Sequence, residues 1–354
     1  MAKHELAKRA SKWMEGTGPQ SDIVLTSRIR LARNLKSIPF PHLLNDEGQK
    51  EVIDKVVQAV NTTTVTGTFG KMDMLLLEYL SPLEKQILVE KHLISPAFAE
   101  KKKGGVALNA DETVSIMVNE EDHLRVQLLM PAFQLEETWK AADILDDALE
   151  QTVDYAFHEE RGYLTACPTN LGTGLRASVM VHLPALVLTK QAKKILGSLP
   201  QLGLAVRGFY GEGSEAQGNL YQISNQITLG LTEEEIINNI TLVVQQLIDQ
   251  ERSARNRLKE ELYHQIDDKV NRAYGILANA RIISSEEALK LLSDLRLGID
   301  LGMIKDVDPQ ILNEMISFIQ PGLLQGSQGK TMNAGERDLT RAKVIRTKLA
   351  QQRR

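Results

Sequence analysis

The sequence has little cysteine and few aromatic residues, and neither sign of charge predominates. Cys167 is the only cysteine among 354 residues, so no intrachain disulfide can form and a disulfide-stabilised scaffold is excluded. Lys and Arg number 42 against 46 Asp and Glu, a net charge of −4, which argues against a protein that coats nucleic acid through bulk charge. The lone thiol is left to serve either packing or chemistry.

Long hydrophobic runs are also missing. No apolar stretch reaches the roughly 18 residues that a membrane span needs, and the first 16 residues lack the apolar centre of a signal peptide. We therefore expect a cytoplasmic protein with no membrane association. At about 150 residues per domain, the length predicts two domains.

The part that precedes residue 230 alternates strand-like runs with turns. Alternating or continuous apolar residues predict strands, and a longer periodic stretch predicts a helix over 134–157. The predicted strands are 22–31, 105–110, 113–118, 123–130 and 177–186. This pattern indicates an α+β body.

Beyond residue 231 the pattern is helical almost throughout. Thr232, followed by three glutamates, predicts a helix start, and a second helix is predicted to carry Leu258 to Leu277. Two further helices are predicted over 284–298 and 308–322, before a tail that begins flexible and ends basic. We predict a body over 20–254 and a helical domain over 255–354.

Four segments could carry chemistry, and the first is S-R-I-R at 27–30. In a strand, Arg28 and Arg30 lie on one face while Ile29 and Leu31 lie on the other. Two adjacent guanidinium groups repel each other unless an anion lies between them. The segment is therefore either a solvent-exposed face or a clamp for polyphosphate.

The second segment is N-E-E-D-H-L-R at 119–125. If the strand extends that far back, Glu121, His123 and Arg125 share one face. The carboxylate and the guanidinium could simply pair with each other. Alternatively, Arg125 binds phosphate and Glu121 binds a cationic substrate.

The third segment, C-P-T-N-L-G-T-G-L-R-A-S at 167–178, is the most informative. Gly172 and Gly174 allow the backbone to approach a ligand closely, and successive N–H groups could form an anion nest. Arg176 adds a permanent charge, and the surroundings of Cys167 could favour its thiolate. The alternative is a buried cysteine in a tight turn.

The fourth segment, 207–219, contains Arg207, four glycines and two acids, Glu212 and Glu215. Its glycines are typical of a mobile loop. It is either a surface turn or a lid that carries an acid to the substrate.

These four segments, in this order, resemble the phosphagen (guanidino) kinase family over roughly residues 20–254. The resemblance implies a catalytic domain with an antiparallel sheet flanked by helices. Phosphagen kinases carry a helical domain before this region, whereas this sequence adds one after it. That layout, with the hexapeptide R-D-L-T-R-A at 337–342, resembles the bacterial protein arginine kinases of the McsB type.

The resemblance implies an ATP:protein-arginine phosphotransferase, whose phosphoarginine product would mark stress-response regulators or misfolded proteins for proteolysis. Glu121 would align the guanidinium and accept a proton, with Cys167 beside it as a thiolate. The second acid is Glu212 or Glu215. The family usually has an arginine where Tyr210 stands, so this loop departs from the pattern.

ATP and Mg²⁺ are the implied cofactors. The residues implied to contact the nucleotide are Ser27, Arg28, Ile29, Arg30, Leu31, His92, Arg125, Arg176, Ala177, Ser178, Val179, Met180, Arg207, Gly208, Phe209, Tyr210, Gly211 and Glu212. In the tail, Arg337, Asp338, Arg341 and Ala342 would form an allosteric site for phosphoarginine.

The implied partners are protein substrates with exposed arginines, an activator protein, a heat-shock repressor and a Clp-type unfoldase-protease. Self-association into a homo-oligomer is also expected, and direct nucleic-acid binding is not. Two alternatives remain at this point. One is a kinase for free arginine, and the other is a non-catalytic adaptor that binds ATP and phosphoarginine.

Overall fold

The computed structural model describes residues 6–7, 9–208 and 217–352. Ten strands lie in these residues: β1 (Val24–Arg33), β2 (Met72–Leu76), β3 (Gly105–Asn109), β4 (Val114–Val118), β5 (Leu124–Pro131), β6 (Phe157–His158), β7 (Gly162–Tyr163), β8 (Leu175–His182), β9 (Leu204–Arg207) and β10 (Leu220–Asn225). Eight of them form one antiparallel sheet in the order β2-β3-β4-β5-β1-β8-β10-β9. The short β6 and β7 pair separately as a hairpin.

Thirteen α-helices lie in the same described residues. They are α1 (Asp46–Val60), α2 (Thr63–Phe69), α3 (Pro82–Glu90), α4 (Pro96–Ala99), α5 (Leu135–Glu150), α6 (Pro184–Leu188), α7 (Ala192–Ser198), α8 (Glu233–Glu261), α9 (Tyr263–Asn279), α10 (Ser285–Asp300), α11 (Pro309–Phe318), α12 (Pro321–Gln328) and α13 (Ala334–Gln352). Short 3₁₀ helices form at Lys12–Glu15 and Pro168–Asn170. The predicted α+β class with a helical C-terminal region is confirmed.

The central strand β1 explains where the functional side chains meet. It pairs with β5 on one side and β8 on the other, which places Arg30 opposite both Gln127 and Arg176. Alternate residues of β1 therefore form two sets. Ile29 and Leu31 are fully buried in the main core, and Arg28 and Arg30 lie on the opposite face.

Several predicted element bounds were wrong. The helix predicted over 134–157 ends at Glu150, because Tyr155 pairs with Leu35 and Ala156 N donates to Asn34 O at the end of β1. The last predicted strand ends at His182. Pro184 then begins α6, since a proline is accepted in a first helical turn.

The C-terminal helices also differ from the prediction. Helix α8 is continuous through residue 254 to Glu261 and carries Leu258, which the sequence pattern assigned to a second helix. The segment predicted as one helix over 308–322 is two, because Pro321 starts α12 rather than ending α11. The tail predicted to begin flexible forms α12 and then α13.

The hydrophobic core is continuous between the sheet and the C-terminal helices. One cluster of buried side chains includes Val179 of β8, Ile240 of α8 and Ile345 of α13. A second cluster joins Ile87 and Leu88 of α3 to Leu323 of α12. The C-terminal helices thus pack directly against the layer that supports the sheet.

Candidate active site

One face of the sheet opens into a cavity of about 710 Å³. Side chains from β1, β5, β8, β9 and β10 line it, together with the segment that follows α3 and the loop at Cys167. The five arginines that the sequence singled out all line this cavity: Arg28, Arg30, Arg125, Arg176 and Arg207. They come from four different strands, so antiparallel pairing brings together positions as far apart as 28 and 207.

Arg28 is fixed by neutral partners. Its Nε donates to Ser178 Oγ at 3.2 Å, and one Nη donates to Gln222 Oε1 at 2.6 Å. Burial lowers the pKa of Arg28 to about 9, and the charges of Arg125 and Arg207 contribute to this lowering. The side chain is therefore aimed into the cavity without a carboxylate to neutralise it.

Arg30 is the clearest indication of a polyanion ligand. Its Nε and one Nη are buried and lack a hydrogen-bond partner. Burial lowers its pKa well below the ordinary value, as do the charges of Arg28, Arg125 and Arg176. A buried guanidinium without a counter-ion is costly, so the cavity is arranged for a ligand that brings several negative charges.

The acidic side of the cavity does not follow the predicted strand pattern. Strand β5 begins at Leu124, so Glu121 and His123 lie in the preceding turn and the shared face predicted for them was wrong. His123 is fully buried, and its ring bonds to Leu35 N and Pro39 O. The ion pair of Arg125 forms with Glu120 at 2.8 Å, not with Glu121.

Glu121 is thereby left available in the cavity. Burial raises its pKa, and the carboxylates of Asp122 and Glu120 raise it further, against a hydrogen bond from Cys167. The Cys167 sulfur also lies 3.0 Å from Thr169 Oγ1. A carboxylate and a thiol next to each other form a site that suits a cationic group such as a guanidinium.

Asp122 holds Glu121 and Cys167 together. The sequence patterns did not indicate this role for Asp122. Its buried carboxylate accepts from Ala166 N at 2.7 Å and from Asn34 Nδ2 at 2.6 Å. Ala166 precedes Cys167, and Asp122 follows Glu121. One carboxylate therefore joins the turn that carries the acid to the loop that carries the thiol.

The glycines of the Cys167 loop allow close backbone packing, and Gly174 also lines the cavity. A Cβ on Gly172 would lie 2.4 Å from Thr228 O, and one on Gly174 would lie 2.6 Å from Ala32 O. Thr173 N donates to Thr228 O, and Leu175 N donates to Thr173 Oγ1. The anion nest predicted here was wrong for these N–H groups, because close backbone packing already engages them.

His92 lies at the end of α3 and lines the cavity while only 8 % exposed. The alternative of a surface histidine is excluded by this burial. Burial and the charge of Arg28 lower its pKa to about 3, so the ring is neutral near pH 7. A neutral ring can pack against a base or donate a hydrogen bond.

Several residues implied to contact nucleotide have side chains that point away from the cavity. Ser27 is fully buried, donating to Ala132 O and accepting from Gln134 N. Ile29, Ala177 and Val179 lie in the main hydrophobic core, because strand alternation places them on the face opposite the arginines. Leu31 is buried in the same core but also lines the cavity, and Met180 lies on the same face of β8 as Arg176 and Ser178. The nucleotide contact implied for these residues stays a prediction, and for Ser27, Ile29, Ala177 and Val179 it would have to be made by the backbone. The Ser178 hydroxyl accepts a hydrogen bond from Arg28 Nε, so Ser178 affects the cavity by holding Arg28 in place.

Part of the fourth segment lies outside the described residues, namely Phe209, Tyr210, Gly211, Glu212 and Glu215. Gly208 is described and buried.

The tail motif is arranged differently from the predicted pair of arginines facing one anion. Arg341 is 2 % exposed and donates to Ile319 O, Ile283 O and Asp338. Arg337 donates to Met332 O at 2.9 Å. Ala342 is buried. The two guanidinium groups therefore have separate protein partners.

Comparison with known proteins identifies the family. Residues 51–254 match the ATP:guanido phosphotransferase C-terminal catalytic domain, and residues 263–354 match the C-terminal domain of the protein-arginine kinase McsB. A protein-arginine kinase of Moorella thermoacetica is 58% identical over 346 residues, covering 97% of this chain and 98% of that protein. The protein-arginine kinase of Bacillus subtilis is 52% identical, covering 98% and 95%. The chain belongs to the protein-arginine kinase family.

Solved structures agree on the fold of this protein-arginine kinase family member. The duplicated taurocyamine kinase from Schistosoma mansoni, with bound transition-state analogue components, has a TM-score of 0.58 and 25% identity, covering 71% of this chain and 36% of that chain. Lombricine kinase has a TM-score of 0.57 and 25% identity, covering 70% of each chain. The catalytic domain is thus that of a guanidino phosphotransferase, and the protein is a kinase.

The residues that line the cavity fit the phosphates of a nucleotide. Among the described residues, no three His, Cys, Asp or Glu side chains are placed to hold a metal ion. The unpartnered nitrogens of Arg30 and the surrounding guanidinium groups suit the phosphates of ATP. Within the same part of the chain, no helix has the length and apolarity to cross a bilayer.

Proposed function

We propose that this kinase transfers the γ-phosphoryl group of ATP to the side-chain guanidinium of arginine residues in proteins. The observation that carries the proposal is the division of one cavity into a cationic and an anionic part. Arg30 lies unpartnered among further arginines, while Glu121 and Cys167 lie next to each other in the same cavity. The first part suits a triphosphate and the second suits a guanidinium.

Arg28, Arg30, Arg125, Arg176 and Arg207 bind the ATP phosphates and neutralise the charge that develops during transfer. The phosphates of the nucleotide would hold Mg²⁺ among these arginines, and its charge would supply further neutralisation of the phosphate oxygens. Ser178 and Gln222 hold Arg28 in place through its Nε and Nη. His92 contacts the nucleotide as a neutral ring.

Glu121 orients the target guanidinium and accepts the proton that leaves the attacking nitrogen. A guanidinium remains protonated to high pH and is a poor nucleophile, so proton removal must accompany attack. The N–P bond forms as the bond between the β,γ-bridging oxygen and the γ-phosphorus breaks, and ADP leaves. Cys167 acts beside the guanidinium as a thiolate without forming a covalent intermediate. Glu212 or Glu215 supplies a second carboxylate.

The test uses ATP and an unfolded, arginine-rich protein, analysed by mass spectrometry under non-acidic conditions that preserve the P–N bond. We expect phosphoarginine on the protein and much less on free arginine offered in a parallel reaction. Product on free arginine alone would assign a small-molecule guanidino kinase. Nucleotide binding without either product would assign a non-catalytic adaptor.

The family membership also supports a set of partners and a division of the chain. We propose an activator protein, a heat-shock repressor as substrate, a Clp-type unfoldase-protease downstream, self-association and a cytoplasmic location.

The catalytic domain spans 20–254 and the helical domain 255–354. A phosphoarginine site in the tail uses Arg337, with Asp338, Arg341 and Ala342 as its support.

A further inference from the structure

The segment Ser11–Met14 packs behind the cavity wall that carries His92. Trp13 is 2 % exposed, and its Nε1–H donates to the backbone oxygen of Lys91 at 3.1 Å. Its ring meets the His92 imidazole edge-on, with 5.4 Å between centroids and 63° between planes. Trp13 does not line the cavity itself, so its contact with the cavity is made through His92.

A buried ion pair fixes the backbone that Trp13 binds. Lys91 Nζ lies 2.6 and 2.8 Å from the two carboxylate oxygens of Glu112, and both side chains are fully buried. Ser11 Oγ donates to the same carboxylate. Ser11 therefore supports the Lys91 side chain through Glu112, and Trp13 binds the Lys91 backbone directly.

His92 needs such support because of its backbone conformation. Its φ is +59°, a left-handed value that non-glycine residues keep only where the surroundings impose it. The His92 carbonyl accepts from Gln127 Nε2 at 2.8 Å. Gln127 therefore holds the backbone of His92, while Trp13 packs against its imidazole, which lines the cavity.

We propose that Trp13 is a positioning residue for ATP: it holds the His92 imidazole against the nucleotide while touching no substrate itself. The inference rests on the proposed nucleotide contact of His92. The hydrogen bond from the indole N–H fixes the position of the Lys91 carbonyl. The indole ring of Trp13 blocks rotation of the His92 imidazole away from the cavity.

The test compares Trp13→Phe with Trp139→Phe in the full chain. The sequence has two tryptophans, and Trp139 lies half-buried on α5, which makes it the matched control. Trp13→Phe keeps an aromatic ring but removes one hydrogen bond, so we expect KM for ATP to rise about threefold to tenfold with kcat largely retained. Trp139→Phe should leave KM for ATP close to that of the unaltered chain.

Two further measurements separate positioning from general loss of structure. In the Trp139→Phe variant, ATP should change the emission of Trp13, the remaining tryptophan. In a His92→Ala background, Trp13→Phe should add no further increase in KM. Unchanged Trp13 emission at saturating ATP, or an equal KM penalty with and without His92, would overturn the inference. If His92→Ala itself leaves KM for ATP unchanged, the proposed nucleotide contact of His92 fails instead.

Discussion

At the scale of single residues, the cavity stores unfavourable electrostatics that a ligand relieves. Arg30 is buried, two of its nitrogens lack partners, and the nearby charges are other arginines. Such an arrangement lowers the stability of the free protein and raises its affinity for anions. Functional sites often show this opposition between stability and activity.

Replacing Arg30 by Gln should therefore separate stability from binding. Removing a repelled, buried charge should leave the melting temperature of the free protein unchanged or raise it by about 1–2 °C, the effect of roughly 1 kcal/mol in a protein of this size. The stabilisation that ATP confers should be lost. Differential scanning calorimetry with and without ATP measures both effects. A large fall in the melting temperature of the free variant would contradict the electrostatic account of Arg30.

Glu121 leads to a prediction about pH. Its pKa is raised, first by burial and then by the charges of Asp122 and Glu120, and the transfer step needs the ionised form. Activity should accordingly fall with decreasing pH through a midpoint above the ordinary value for a glutamate. A pH profile of kcat checks this, with phosphoarginine measured after neutral quenching.

A Glu121→Gln variant is the companion to that profile. It should lose about 10²- to 10⁴-fold in kcat, the range typical of a general base, and it should bind ATP as the unaltered chain does. Retained transfer in Glu121→Gln would assign proton removal to another group.

At the scale of secondary-structure elements, α3 links the cavity to the C-terminal helices. The Glu90 carboxylate accepts from Gly322 N and Leu323 N at the first turn of α12, both at 2.7 Å. Its pKa is raised because burial outweighs these two hydrogen bonds. The next two residues of the chain are Lys91 and His92, and His92 lines the cavity. The contact between α3 and α12 therefore lies directly beside the proposed nucleotide site.

Close approach of the two helices depends on glycine. A Cβ on Gly326 would lie 2.5 Å from Ala7 Cβ and 2.7 Å from Ile87 Cδ1. Gly326→Ala should lower the free energy of unfolding by about 1–3 kcal/mol through overpacking. A Cβ on Gly275 of α9 would meet nothing beyond its own helix backbone within 4 Å, so Gly275→Ala is the matched control and should raise stability by about 0.5–1 kcal/mol. Urea titration of both variants measures the difference, and equal effects would contradict this packing.

The elements also show which parts of the site a sequence reveals. Strand alternation was enough to place Arg28 and Arg30 on one face, because that rule is local. The partners of Arg28, Ser178 and Gln222, arrive from strands 150 and 194 residues further along the chain, and local patterns carry no information about register. For the same reason, the close packing of Gly172 against Thr228 could not be predicted from the sequence.

At the scale of the whole molecule, the C-terminal helices complete the structure of the catalytic part. Arg255 of α8 pairs with Glu251 and with Asp300 of α10. His182, at the end of β8, contacts Ser293 of α10 at 2.7 Å. The main hydrophobic cluster is shared between the sheet and helices α8, α9, α10, α11 and α13. The composition change near residue 230 therefore marks a change of secondary structure within a shared core.

Truncation after Glu261 should consequently fail to give an independently stable kinase, even though the catalytic family match ends at residue 254. Removing residues 262–354 would deprive Glu90 and Arg255 of buried partners and expose the apolar face of α3 that packs on Leu323. Glu90 would lose both of its backbone donors, whereas Arg255 would keep Glu251, so the larger loss is the apolar burial that the sheet shares with α9, α10, α11 and α13. We expect the truncated chain to bind a hydrophobic dye and to unfold without a cooperative transition. A chain shortened only by Arg353 and Arg354 is the control, and it should unfold like the 354-residue chain. A sharp, cooperative transition in the truncated chain would instead support a catalytic domain that folds on its own.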